Sequence, residues 1–106
     1  MNSNKLEIVK LKLQDKCFLQ SLLPNYFLSS ILKAELVLIP KESVLLSSTG
    51  KNQEIIIAIN GCGGIVINGF AELIKTGDII HVYPNSIRSI ANVEDEVLQV
   101  VSITLN

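Results

Sequence analysis

The stretch Gln53-Glu54-Ile55-Ile56-Ile57-Ala58-Ile59-Asn60-Gly61-Cys62-Gly63-Gly64-Ile65-Val66-Ile67-Asn68-Gly69-Phe70-Ala71-Glu72-Leu73 decides the fold. Two aliphatic runs are punctuated by Asn60-Gly61 and Asn68-Gly69, dipeptides that accept the left-handed backbone of tight turns. The pattern predicts two successive β-hairpins. In the first run Ile55, Ile57 and Ile59 alternate with Glu54, Ile56, Ala58 and Asn60, so the strand is apolar on both faces and both need covering. In a small barrel the second cover is commonly another subunit, and a homodimer is expected.

Downstream, Lys75-Thr76-Gly77-Asp78 reads as a turn, Ile79 to Tyr83 as a strand and Pro84-Asn85 as a break. A short strand then runs through Ile90, and a last one from Val97 to Leu105. Upstream, β-branched and aliphatic residues between Leu28 and Ile39 predict a strand, broken at Pro40-Lys41-Glu42-Ser43 and resumed from Val44 to Leu46. Leu6 to Leu13 alternates apolar and charged residues in the period of a half-buried strand. Asp15 to Leu23 fits two readings equally: Phe18, Leu19, Leu22 and Leu23 have helical spacing, but the segment is short and ends at Pro24-Asn25. A single helical turn or an irregular edge is expected there. Eight or nine short strands, with no segment between them long enough for a crossover helix, define an all-β antiparallel sandwich or jelly roll.

The chain has 106 residues, enough for one core and too few for two, so one domain over 1–106 is expected. Its basic and acidic residues nearly cancel, for a formal net charge of -1, and the basic ones are scattered singly, which argues against a nucleic-acid partner. No run approaches the ~18 apolar residues of a membrane span, and Met1 to Lys5 does not lead into an apolar signal core. A cytoplasmic protein without a membrane partner is expected. Cys17 and Cys62 are too few for a disulfide framework and lack zinc-motif pairing, so reduced thiols fit that setting, although the sequence leaves a disulfide between them open.

From about Leu36 to Leu105 the order of turns and single residues resembles the cupin family. The family's first motif runs G, five residues, H-x-H, three or four residues, E, six residues, G. Here Glu54 is followed by Ile55 to Asn60 and then Gly61, and Pro40 looks like the proline that often opens the preceding strand. That alignment puts the two histidine positions at Ser47 and Thr49. The second motif, G, five residues, P, x, G, two residues, H, three residues, N, looks like Gly77 through Tyr83-Pro84-Asn85 to Arg88 and Asn92. Gly77, Pro84 (one place late) and Asn92 remain. Arg88 stands for the third histidine and Asn85 for the internal glycine.

The resemblance therefore implies a jelly-roll barrel whose metal ligands are missing. A transition-metal site wants three or four His, Cys, Asp or Glu donors, and Glu54 alone does not supply them. Arg88 brings a permanent positive charge with only donors to offer. No metal and no other cofactor is expected.

The same alignment implies that Glu54 and Arg88 point into the barrel mouth, where two readings stay open. In one they simply neutralise each other. In the other a small anionic or sugar-like ligand, such as an organic acid or a sugar phosphate, competes for the two-pronged face of Arg88. Ser47, Thr49 and Tyr83 complete the expected ligand-binding set.

His81, the only histidine, shares a strand face with Ile79 and Tyr83, and is either a pocket acid/base or an exposed outer residue. If the face is inward, His81, Tyr83 and Glu54 form a catalytic set for proton transfer, as in a small metal-free isomerase, epimerase, cyclase or lyase. A third possibility is a structural or regulatory dimerisation module whose barrel is filled by its own side chains. Cys62, between glycines and without a neighbouring histidine, reads as an ordinary turn thiol.

Overall fold

The computed structural model describes residues 12–14, 17–21 and 31–106. These form ten strands: β1 (Lys12–Gln14), β2 (Cys17–Ser21), β3 (Ile31–Ile39), β4 (Ser43–Ser48), β5 (Gln53–Asn60), β6 (Cys62–Ile67), β7 (Phe70–Lys75), β8 (Ile79–Val82), β9 (Ile87–Asn92) and β10 (Leu98–Leu105). One sheet has the order β1-β2-β3-β10-β5-β8 and the other β4-β9-β6-β7, and every pairing is antiparallel. From β3 onward the chain changes sheets at every connection except β6 to β7, the winding of a jelly roll. The all-β expectation therefore holds.

Two expectations are corrected. The helical turn considered for Asp15 to Leu23 is absent from its described part: Cys17–Ser21 is a strand, paired to β1 on one side and β3 on the other. The helical spacing of Phe18, Leu19, Leu22 and Leu23 loses to sheet pairing on both edges. Of the first strand expected over Leu6 to Leu13, residues 6–11 lie outside the described residues.

The second correction concerns Asn60-Gly61, which joins two sheets rather than two paired strands. Only Gly61 separates β5 from β6, one residue fewer than the shortest common hairpin loop needs, and β5 already has β10 and β8 on its two edges. Gly61 turns the corner at φ 95°, and its carbonyl accepts from the Thr76 N–H at 3.1 Å. Asn68-Gly69 is the hairpin that the sequence predicts. Both residues have positive φ (49° and 88°), and Ile67 pairs with Phe70 across them, the geometry of a type I′ turn.

Between the sheets, pairing divides the interior into two ends. The inward rows Val37–Val100–Ala58 and Ile39–Leu98 of the large sheet face Leu45, Ile90, Ile65 and Ile74 of the small one, all of them buried. Burying an aliphatic side chain of this size is worth about 1.5 to 3 kcal/mol, and this end supplies the core. Asn92 seals it: fully buried, its amide donates to the carbonyls of Ile39 (2.8 Å) and Glu96 (2.7 Å) and accepts from the Glu94 N–H (2.9 Å). Asn92 thus has a structural task, closing the loop between β9 and β10. At the other end the inward rows turn polar, Lys33–Thr104–Glu54 and Glu35–Ser102 on the large sheet, with Ser47 and Arg88 paired on the small one.

Candidate functional site

The polar end encloses a cavity of about 360 Å³. Ser47, Thr49, Glu54 and Arg88, drawn from β4, β5, β9 and the turn after β4, all line it, so the fold brings together the four positions that the cupin motifs align. At its head Arg88 Nε donates to Glu54 Oε1 at 2.9 Å and Nη2 donates to Oε2 at 2.7 Å. This bidentate pair is almost wholly removed from solvent, with 4% of Arg88 and 6% of Glu54 exposed. Ser102 Oγ, from the adjacent β10, also donates to Glu54 Oε2. Arg88 Nη1 is buried and has no hydrogen-bond partner among the described residues.

Burial by itself would raise the pKa of Glu54, because a desolvated carboxylate is disfavoured. The hydrogen bonds and charge of Arg88, the Ser102 hydroxyl and the charge of Lys33 outweigh it, holding the group below its usual 4.5 and therefore ionised at neutral pH. The site contains a charged pair, not a shared proton.

Thr49 lines the cavity, but its hydroxyl is engaged in the framework. It donates to the Tyr83 carbonyl at 3.0 Å and accepts from the Ser86 N–H at 2.9 Å, pinning the loop between β8 and β9. Ser47, directly opposite Arg88 in the β4–β9 pairing, makes no side-chain hydrogen bond among the described residues and presents a free hydroxyl to the cavity.

His81 and Tyr83 are elsewhere. Val82 is fully buried against the interior, so alternation turns its two neighbours to the outer face, where His81 is exposed and Tyr83 is 68% exposed. There His81 Nε2 is 2.7 Å from Gln53 Oε1, and the two rings meet edge to face at a centroid distance of 4.4 Å. The condition on which a His81, Tyr83 and Glu54 acid/base set depended, an inward face, is not met. Cys17 is buried, Cys62 is exposed, and no disulfide joins them.

Lys33, Glu35, Asn52, Ser102 and Thr104 also line the cavity and were missed in the sequence. For the four on strands the signal was phase, whereas Asn52 lies in the turn before β5 and gave none. Lys33 and Glu35 share the period-2 face of Val37 and Ile39, and Ser102 and Thr104 that of Leu98 and Val100. A polar residue in phase with a buried aliphatic series is inward, whatever its chemistry.

The donor set does not fit a cupin metal. Ser47, Thr49 and Arg88 bring no imidazole or carboxylate, and both Glu54 oxygens are engaged by Arg88 and Ser102. Among the described residues no three His, Cys, Asp or Glu side chains come together.

Comparison with solved structures places this architecture. A predicted oxalate decarboxylase from Thermotoga maritima superposes with a TM-score of 0.84 at 18% identity, covering 92% of each chain. A protein from Photorhabdus luminescens gives 0.84 at 20% identity over 100% of this chain and 89% of its own. A cupin 2 conserved barrel domain protein from Salinispora arenicola gives 0.76 at 23%, covering 97% and 91%. No protein-family model and no curated protein matches the sequence. The chain has the fold of the small cupin-2 barrels, and the likeness at these identities is one of fold.

Proposed function

We propose that this barrel binds a small polar or anionic molecule in its mouth without a metal ion. The observation that carries the reading is the buried, unpartnered Nη1 of Arg88, a residue that lines the 360 Å³ cavity. A buried donor left unmade costs about 1 to 3 kcal/mol, and a ligand oxygen that reached it would recover that cost on binding. The volume lies within the ~300 to 1,000 Å³ of small-molecule sites. It also favours this reading over a barrel filled by its own side chains. The outward placement of His81 and Tyr83 favours binding over proton-transfer catalysis.

The test is a thermal-shift series with small carboxylates, sugars and phosphates on the wild type and on a Glu54→Met, Arg88→Leu double variant. The double variant removes both charges without stranding either. Ligands should raise the wild-type melting temperature by mass action and leave the double variant unmoved. Equal shifts in both proteins would contradict the proposal.

A further inference from the structure

The face of Arg88 that an anion would clamp is already taken. Its Nε and Nη2 form a closed two-pronged pair with Glu54, and what remains without a partner is Nη1. An anion claiming the occupied face would have to expel Glu54, leaving a buried carboxylate with only Ser102 to donate to it.

A second residue that lines the cavity with Arg88 has the opposite need. Glu35, on β3, lines it beside Ser102 and has only 11% of its side chain exposed. Its one interaction among the described residues is with Lys33 Nζ at 3.7 Å, an ion pair too long to be a hydrogen bond. Its carboxylate oxygens accept and do not donate. The charged groups of the cavity, Lys33, Glu35, Glu54 and Arg88, sum to zero.

Resting on the binding reading above, we infer that the ligand is neutral overall. It places a hydrogen-bond acceptor at Arg88 Nη1 and a donor, hydroxyl or ammonium, at Glu35. Polyols and amino-acid zwitterions share this chemistry. A phosphate or dicarboxylate does not, since it would enter a site of no net positive charge and meet Glu35 with further acceptors. Ser47, Asn52 and Thr104, which also line the cavity, can donate to or accept from hydroxyls of either ligand type.

The test is calorimetric titration of the whole chain with four probes, myo-inositol, L-serine, succinate and inorganic phosphate, up to about 10 mM. The inference predicts saturable binding of inositol or serine to the wild type, with succinate and phosphate at least about tenfold weaker. In Glu35→Gln, a near-isosteric change, the neutral probe weakens by about tenfold or more, and phosphate or succinate binds more tightly than to the wild type. Which neutral probe binds separates a polyol site from a zwitterion site. Succinate or phosphate binding the wild type most tightly would overturn the inference and leave the binding reading standing. No binding by any of the four would overturn both.

Discussion

At the residue scale the site turns on one buried ion pair, Glu54 with Arg88, and its partners set what each substitution should do. Glu54→Met leaves the guanidinium uncompensated in the interior, and Arg88→Leu leaves the carboxylate so; each should cost about 3 to 5 kcal/mol. The Glu54→Met, Arg88→Leu double variant should recover most of that loss, because the desolvation penalty disappears with the charges. Urea unfolding of the three variants measures the cycle, and additive losses would show that the pair does not act as a unit. The pH dependence has a definite sign. Glu54 is held below its unfolded value, so its stabilisation is fully present above about 4.5 and is lost as pH falls through the lower folded value. Urea midpoints of the wild type should therefore fall below that pH more steeply than those of the double variant. The sequence made the pair legible through the motif spacing that aligned Glu54 with Arg88. It did not show the outward turn of His81, because a strand over Ile79 to Tyr83 is apolar or aromatic on both faces and alternation alone does not say which face is inside.

At the scale of elements the most crowded glycine lies where β6 runs beside β9 in the small sheet and faces Leu98 of β10 in the large one. A Cβ added at Gly63 would overlap the Ala91 carbonyl oxygen and stand 2.8 Å from Leu98 Cδ2, so backbone and core both resist it. Gly63→Ala should cost about 1 to 3 kcal/mol by overpacking, whereas the same change at Gly64, with only the Glu72 carbonyl near at 3.9 Å, should cost much less. Comparing the two melting temperatures checks this, and equal losses would contradict it. The contrast was illegible in Gly61-Cys62-Gly63-Gly64, since the residues that crowd Gly63 come from β9 and β10, far along the chain. The turns were legible in proportion to their locality. Asn68-Gly69 carries its hairpin in two residues, while Asn60-Gly61 shows the same dipeptide and makes a corner, because the edges of β5 are taken by strands that come later.

At the scale of the whole molecule the two faces of β5 are used differently. Glu54, Ile56 and Ala58 are buried inward, and Ile55, Ile57 and Ile59 look out. Pairing extends the outer face into an apolar row, Leu36–Val101–Ile57–Ile79, beside Ile103 and Ile55. None of the outward positions on β3, β10, β5 and β8 is Asp, Glu, Lys or Arg. This face supports the proposal of an isologous homodimer, in which each copy covers the same face of the other. Sedimentation of the wild type should give a dimer, and Ile79→Lys, at a position 69% exposed, should shift it towards monomer without lowering the melting temperature of the barrel by more than a few degrees. A wild type that sediments as a monomer at all concentrations would remove the proposal.

We propose that this cupin-fold barrel keeps a binding cavity and works it with an arginine–glutamate pair in place of a metal. Native mass spectrometry of protein purified without a metal-affinity tag tests it most directly, since one spectrum reads both bound metal and bound organic mass. The protein should carry no transition metal, and its mass should rise by one small neutral molecule per chain when myo-inositol or L-serine saturates it. Iron, manganese, nickel or zinc retained at one ion per chain would contradict it.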